Sequence, residues 1–301
     1  MKYYYLSIDS KLKKMQVSFN RTLFMKLKIK LYEKSIYFFQ KLGYSLAIYR
    51  IGHYNPKNKL YLNIGAGAWG HDGWVNLDYP TEWYSQAQSM HKFIPYDIRN
   101  DKIPFDDNTV DAIYTSHVIE HIEDEYIQTL FNECFRVLKY GGVFRITCPD
   151  AEFLYNIAKH TSYSSFWMDE HYQPYRELGR EYSYVFRPVD FLAMRVGGSD
   201  KVRKHLLDPN NSDIDYLDDF ASLDMDNFLI KLTKDRVFNY IIPGDHINYW
   251  TFEKIKERLV NAGFVNIIRS VNGGSCCQEM KHPGKFDITW PQESLYVEAV
   301  K

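Results

Sequence analysis

The sequence predicts an α/β protein built around a parallel sheet. Short apolar strands alternate with amphipathic helical stretches along most of the chain. The first strand runs into a glycine-rich turn, Gly65-Ala66-Gly67-Ala68-Trp69-Gly70. The composition, 45% hydrophobic and 25% charged over 301 residues, is that of a globular chain long enough for a substantial core.

Residues 20–42 place Phe24, Leu27, Leu31, Phe38 and Leu42 at roughly helical spacing with lysines between, which predicts an amphipathic helical arm over residues 1–58. Asn55-Pro56-Lys57-Asn58 punctuates the chain, and the domain proper is expected from 59 to 301. Leu60 to Ile64 reads as a buried strand, Gly73 to Asp78 as a second and Asp111 to Ser116 as a third. Residues 125–139 make the clearest helix, with Ile127, Leu130, Phe131, Cys134 and Leu138 on one face and Gly141 where a C-terminal cap belongs. Val143 to Cys148 is a strand stopped by Pro149. Between residues 151 and 240 the rhythm fails, and a partly helical insertion or lid beside a ligand cleft is expected. Thr251 caps a further helix that ends at Gly263, with Phe252, Ile255 and Leu259 inward. Strands over Val265–Val271 and Ser294–Val300 close the chain.

Charge is unevenly spread. Residues 1–59 hold 13 Lys and Arg against 2 Asp and Glu, leaving 24 basic and 36 acidic groups in the rest. A basic arm on an acidic body points to an anionic membrane surface or to the body's own acidic face. An acidic body repels phosphates, so nucleic acid is not expected as a partner. Four cysteines are too few for a disulfide scaffold and are expected as reduced thiols of a cytoplasmic protein. No apolar run approaches the ~20 residues that span a bilayer, and the first residues lack the apolar stretch of a signal peptide. No metal-ligand spacing stands out, and no metal is expected.

The glycines fit G-x-G-x-x-G, weak evidence alone. A dinucleotide site needs a full helix after the loop and an acid about 20 residues on. Here Asp78 follows only eight residues after Gly70. Without that helix the dipole that seats a pyrophosphate is stunted, which argues against NAD and for a ligand without phosphates. Such a connection is short for parallel neighbours, which normally need a dozen residues or more.

Leu62-Asn63-Ile64-Gly65-Ala66-Gly67 followed by Gly73-Trp74-Val75-Asn76-Leu77-Asp78 resembles the cofactor loop of class I S-adenosylmethionine-dependent methyltransferases, in the type 11-like branch with a shortened first crossover. The likeness continues through Ile103 to Tyr114, Ser116-His117-Val118-Ile119-Glu120-His121-Ile122, Phe135 to Gly142 and Arg145 to Asp150, and returns at Tyr249 to Phe264. It implies a Rossmann-like seven-stranded sheet with an antiparallel last strand. It also implies a cofactor site: Gly65, Ala66 and Gly67 against the methionine and ribose, Asp78 with Tyr79 at the ribose hydroxyls, Asp97 and Ile98 at the adenine, and Ser116 and His117 under the sulfonium. Many relatives carry an acid where Asn63 stands; Asn63 can accept a hydrogen bond but offers the cofactor's ammonium no charge. Asp78 as a turn former, Asp97 as a solvated loop acid and Glu120-His121 as a structural pair remain open alternatives.

An alcohol acceptor usually needs a general base, and His117, His246 and Asp150 are the candidates. In the insertion, Tyr155, Tyr163, Phe166, Trp167, Tyr172, Tyr175, Tyr182 and Tyr184 can stack on sugar faces or simply pack a lid. Arg176, Arg180, Arg187 and Arg195 can grip a phosphate or carboxylate, or form surface ion pairs. The expected acceptor is a sugar or glycan-linked compound of surface-polysaccharide biosynthesis. The alternatives are a lipid or quinone methylated at the membrane surface, and a non-catalytic binding module on the same fold. The oligomeric state is not legible.

Overall fold

The computed structural model describes residues 59–160, 187–207, 216–282 and 284–301. The expected N-terminal arm and the insertion residues Tyr163, Phe166, Trp167, Tyr172, Tyr175, Arg176, Arg180, Tyr182 and Tyr184 lie outside the described residues.

The strands are β1 (Tyr61–Ile64), β2 (Val75–Asp78), β3 (Ile94–Pro95), β4 (Val110–Ser116), β5 (Leu138–Pro149), β6 (Asn266–Arg269) and β7 (Ser294–Val300). They form a seven-stranded sheet in the order β3-β2-β1-β4-β5-β7-β6. The first five are parallel to one another, and β7 runs antiparallel to both β5 and β6. Strand order reverses between β1 and β4, the point where a crevice opens at the carboxyl ends of the strands.

One sheet face is covered conventionally. Helix α2 follows the short α1 (Ser85–Gln88), spans Asp124–Val137 and buries Ile127, Leu130, Phe131 and Cys134. These meet Leu62, Ile64, Ile113, Phe144 and Ile146 of the strands, together with Ile255 and Leu259 of the late helix Phe252–Ala262. That helix begins as the sequence predicts: Thr251 Oγ1 accepts from Lys254 N at 3.2 Å, and Gly263 takes the left-handed conformation at its end. Each fully buried Leu, Ile or Phe contributes roughly 1.5–3 kcal/mol.

Gly141 departs from the expectation. The helix stops at Val137 and Leu138 is already extended. Val110 pairs with Leu138 and Ala112 with Val143, so Lys139 to Gly142 bulge opposite Asp111 alone. Gly141, at φ +80°, turns that bulge, and Lys139 Nζ anchors it on Asp111 at 2.8 Å.

The other face has an unusual cover. Residues 65–74 contain no helix, yet β1 and β2 are parallel, with Leu62 beside Val75. The face such a crossover helix would cover is filled instead from the β6–β7 connection: Met280 and Phe286 pack on Tyr61, Ala112, Tyr114 and Val143. His71 and Trp74 from the short crossover join them, with 4.2 Å between the His71 and Phe286 rings. Arg145, projecting from β5 into this layer with no exposure, is held by Asp287 (Nη2–Oδ2 2.5 Å) and Glu298 (Nη1–Oε1 3.1 Å).

The insertion is helical where described. Helices α3 (Ala151–His160), α4 (Pro188–Val196), α5 (Ser199–Leu207), α6 (Tyr216–Ser222) and α7 (Met225–Thr233) precede the late helix, α8. Leu154, Tyr155, Phe191, Leu192, Phe228 and Leu229 form a second core there, so Tyr155 is a packing residue. Arg195 is paired with Glu293 and lies over the Trp290 ring; Arg187 stands beside Asp190 at the start of α4.

Candidate active site

A cleft with about 260 Å³ of free space opens at the strand-order reversal. The loop after β1 supplies Gly65, Ala66 and Gly67; β2 ends in Asp78 and Tyr79; the segment after β3 brings Asp97 and Ile98; β4 ends in Ser116 and His117. Nine of the residues expected at the cofactor therefore stand round one space. Asn63 does not: it is buried, and its Nδ2 donates to Trp69 O (2.9 Å) and Asn76 Oδ1 (3.0 Å). It holds the glycine loop's shape from behind.

Two positions of the loop favour glycine, each for its own reason. At Gly65, φ is +71° and a Cβ would lie 2.2 Å from Val118 Cγ2. At Gly67, φ is +51° and a Cβ would meet nothing within 4 Å, so the cleft beside the backbone is open for a ligand. Asp78 Oδ2 accepts from Gly67 N and Gln88 Nε2, each at 2.9 Å, and Oδ1 accepts from Tyr79 N at 2.9 Å. Burial pushes its pKa up, against the lowering pull of those donors. A carboxylate has about four acceptor sites, so one is left for a ligand hydroxyl.

Asp97 is tied to its own turn, accepting from Arg99 N at 3.0 Å and Asn100 Nδ2 at 2.8 Å. Arg99, which sequence reasoning passed over, lines the cleft with its guanidinium 3.5 Å over the Phe238 ring. Its Nε and Nη1, and the buried Tyr96 Oη, have no hydrogen-bond partner. A nucleoside with ring and hydroxyl acceptors fits this wall, because it would satisfy those orphaned donors. Phe238, near the end of the insertion, and Pro243, just beyond it, also line the cleft, and no local pattern marks them.

His117 sits at φ +53° and donates its backbone N–H to Thr147 O at 2.8 Å. Its Nε2 lies 2.8 Å from Ser294 Oγ and its Nδ1 3.1 Å from Glu120 Oε1. The second approach is an ion-pair contact rather than an aligned hydrogen bond, since Glu120 Oε1 counts no hydrogen-bond partner. Both ring nitrogens thus face groups of the protein, Ser294 on one side and Glu120 on the other.

The other two base candidates do not line the cleft. Asp150 caps α3 by accepting from Phe153 N at 3.0 Å and pairs with Arg269 Nη2 at 2.8 Å. His246 places Nδ1 2.5 Å from Arg195 O and packs edge-on against His121, 4.7 Å between ring centroids. Burial pulls its pKa down to about 3, helped by neighbouring His121. His121, by contrast, lines the cleft.

Residues 72–146 match the family model described as a methyltransferase domain. Over 79 residues, 25% of this chain, the sequence is 33% identical to a Mycolicibacterium smegmatis protein named "Probable S-adenosylmethionine-dependent methyltransferase". The match spans 29% of that relative's length. An S-adenosylmethionine-dependent methyltransferase structure from Mesorhizobium loti aligns over 82% of this chain and 94% of its own, at 14% identity and a TM-score of 0.41. Another from Archaeoglobus fulgidus aligns over 87% and 94%, at 13% identity and a TM-score of 0.38. The stretch from the end of the short crossover into β5 is thus similar in sequence to a methyltransferase domain and to part of an S-adenosylmethionine-dependent relative.

Proposed function

We propose that this protein transfers a methyl group from S-adenosylmethionine to an oxygen of a small acceptor, a hydroxyl of a sugar or glycan-linked compound. The observation that carries the transfer is the cleft itself. Gly65 and Gly67 let the backbone approach the ligand, Asp78 keeps an acceptor site for a ribose hydroxyl, and the wall holds orphaned donors at Tyr96 and Arg99. When bound, the cofactor supplies an activated methyl group on sulfur. The protein's part is alignment and exclusion of water. Phe238, Pro243 and Tyr84 all line the cleft. The sugar reading is supported by the aromatic lining, Trp69, Tyr79, Tyr84 and Phe238, which offers flat apolar faces with polar tips.

A second acceptor class has its own support. Trp83, Tyr240 and Ile241 are all more than half exposed, and Gly244 adjoins Tyr84 and Trp83. An apolar rim beside the cleft, on a chain with a basic N-terminal segment, suits a lipid acceptor met at an anionic membrane surface.

The test is incubation of the full chain with methyl-labelled cofactor and three acceptor pools: nucleotide-sugars, isolated glycans and lipid extract. Mass spectrometry then looks for a gain of one methyl group. The glycan reading expects labelled sugar; label confined to lipid selects the second reading. S-adenosylhomocysteine that fails to bind in calorimetry overturns both.

A further inference from the structure

Behind the cleft wall, a buried carboxylate stands among imidazoles. The Glu120 side chain is 1% exposed, and neither oxygen has an aligned hydrogen bond. His117 Nδ1 approaches Oε1 at 3.1 Å and His121 Nε2 at 4.0 Å. His246 comes from more than a hundred residues away. It is brought there by the backbone: Ile247 N and Asn248 N both donate to Glu120 O, at 2.9 and 3.1 Å.

The two farther histidines are oriented alike. His121 Nδ1 lies 2.9 Å from Asp245 O, and His246 Nδ1 lies 2.5 Å from Arg195 O. A carbonyl only accepts, so each Nδ1 carries the hydrogen and each neutral ring is left with a lone pair on Nε2. This is how metal-binding histidines are commonly held, with the far N–H donated to a backbone carbonyl. One ligand atom from each of Glu120, His121 and His246 lies within 4.8 Å of the other two. With both rings neutral, two imidazoles and a carboxylate can each offer a lone pair here, while His117 Nδ1 approaches the same carboxylate. Burying a carboxylate costs several kcal/mol; His117 at 3.1 Å offsets part of that cost, and a cation shared with His121 and His246 would offset more.

We propose that Glu120, His121 and His246 bind one divalent transition-metal ion of the zinc class. Two nitrogens and one carboxylate oxygen suit such ions, and three protein ligands leave a fourth position open. Bonds of about 2.0–2.2 Å need tetrahedral ligands roughly 3.4 Å apart, so separations of 4.0 to 4.8 Å close by roughly 0.6 to 1.4 Å on binding. His121 belongs to the cleft wall, which puts the ion beside the space assigned to the ligands. Two further groups stand nearby: His117, which approaches the same Glu120 oxygen, and Arg195, whose guanidinium is paired with Glu293.

The binding rests on this geometry and not on the methyl-transfer reading, so the two are tested apart. The tag-free full chain is stripped with chelator and titrated with Co(II), followed by visible absorption, and with Zn(II), followed by calorimetry, without cofactor. One equivalent is expected, with a tetrahedral Co(II) spectrum and a raised thermal midpoint. Glu120→Gln, His121→Gln and His246→Gln should each weaken binding at least tenfold, while His282→Gln leaves it unchanged. Circular dichroism on the same samples identifies variants that remain folded. The proposal is overturned if the wild-type chain takes up no Co(II), or if a folded Glu120→Gln or His246→Gln variant binds it as tightly as the wild type. S-adenosylhomocysteine titrated separately reports on the cofactor site alone.

Discussion

Asp78 has one acceptor site to spare, because Gly67 N, Tyr79 N and Gln88 Nε2 use the others. Asp78→Asn keeps the shape and removes the charge. A hydrogen bond to a charged group is worth about 1.5–3 kcal/mol, so S-adenosylhomocysteine should bind roughly 10- to 100-fold more weakly in calorimetry. His71 gives a prediction of another kind. Burial, with Lys285 adding to it, pulls its pKa down to about 4 from 6.5. Between those values the unfolded chain takes up a proton that the folded chain refuses, so stability falls as pH drops from 6.5 towards 4. At about 1.4 kcal/mol per unit, His71 accounts for about 2 kcal/mol lost between pH 7 and 5. Urea melts of wild type and His71→Phe should differ by that amount in their pH dependence; equal slopes would show that the ring is not held neutral.

The β6–β7 connection does at the level of an element what a crossover helix does in a conventional α/β sheet. It covers β1, β4 and β5 with Met280 and Phe286, and it is fastened by Asp287 on the fully buried Arg145. Removing one partner leaves a buried charge uncompensated, which costs about 3–5 kcal/mol. Asp287→Ala should therefore lower the urea midpoint sharply, whereas replacing Arg145, Asp287 and Glu298 together by Met, Leu and Gln should recover much of the loss, because no buried charge is then left unpaired. The glycine loop packs on the other side of the same arrangement. Gly65→Ala meets Val118 at 2.2 Å in a left-handed conformation, and should lose cofactor binding together with stability. Thermal melts with and without S-adenosylhomocysteine check both.

For the whole molecule, the basic segment before residue 60 and the exposed rim of Trp83, Tyr240 and Ile241 are separate features, and vesicle experiments separate them. Among the described residues no helix is long and apolar enough to cross a membrane. If the acceptor is a lipid, the full chain should pellet with anionic vesicles, less so in high salt. Trp83→Ala with Ile241→Asp should then reduce pelleting at low salt. Vesicle binding that is absent, or unchanged by the rim variants, leaves the glycan reading alone.

The sequence by itself determined the order of every strand but the short β3, the α2 and α8 faces and many of the residues that line the cleft, but not the separate helices of the insertion. Local periodicity, caps and an ordered set of motifs carry those features, and Gly65, Gly67, Asp78 and Ser116 need only strand ends to place them. Gly141 misled because a glycine after a helix serves a cap and a bulge equally well, and only pairing with β4 distinguishes them. Tertiary structure alone decided that Asp150 and His246 turn away from the cleft, that Arg99 stacks under Phe238, and that residues 270–293 cover the vacated face. Each of those depends on contacts between residues tens to more than a hundred positions apart, or on the direction in which a side chain leaves its turn, and neither quantity is written in local spacing.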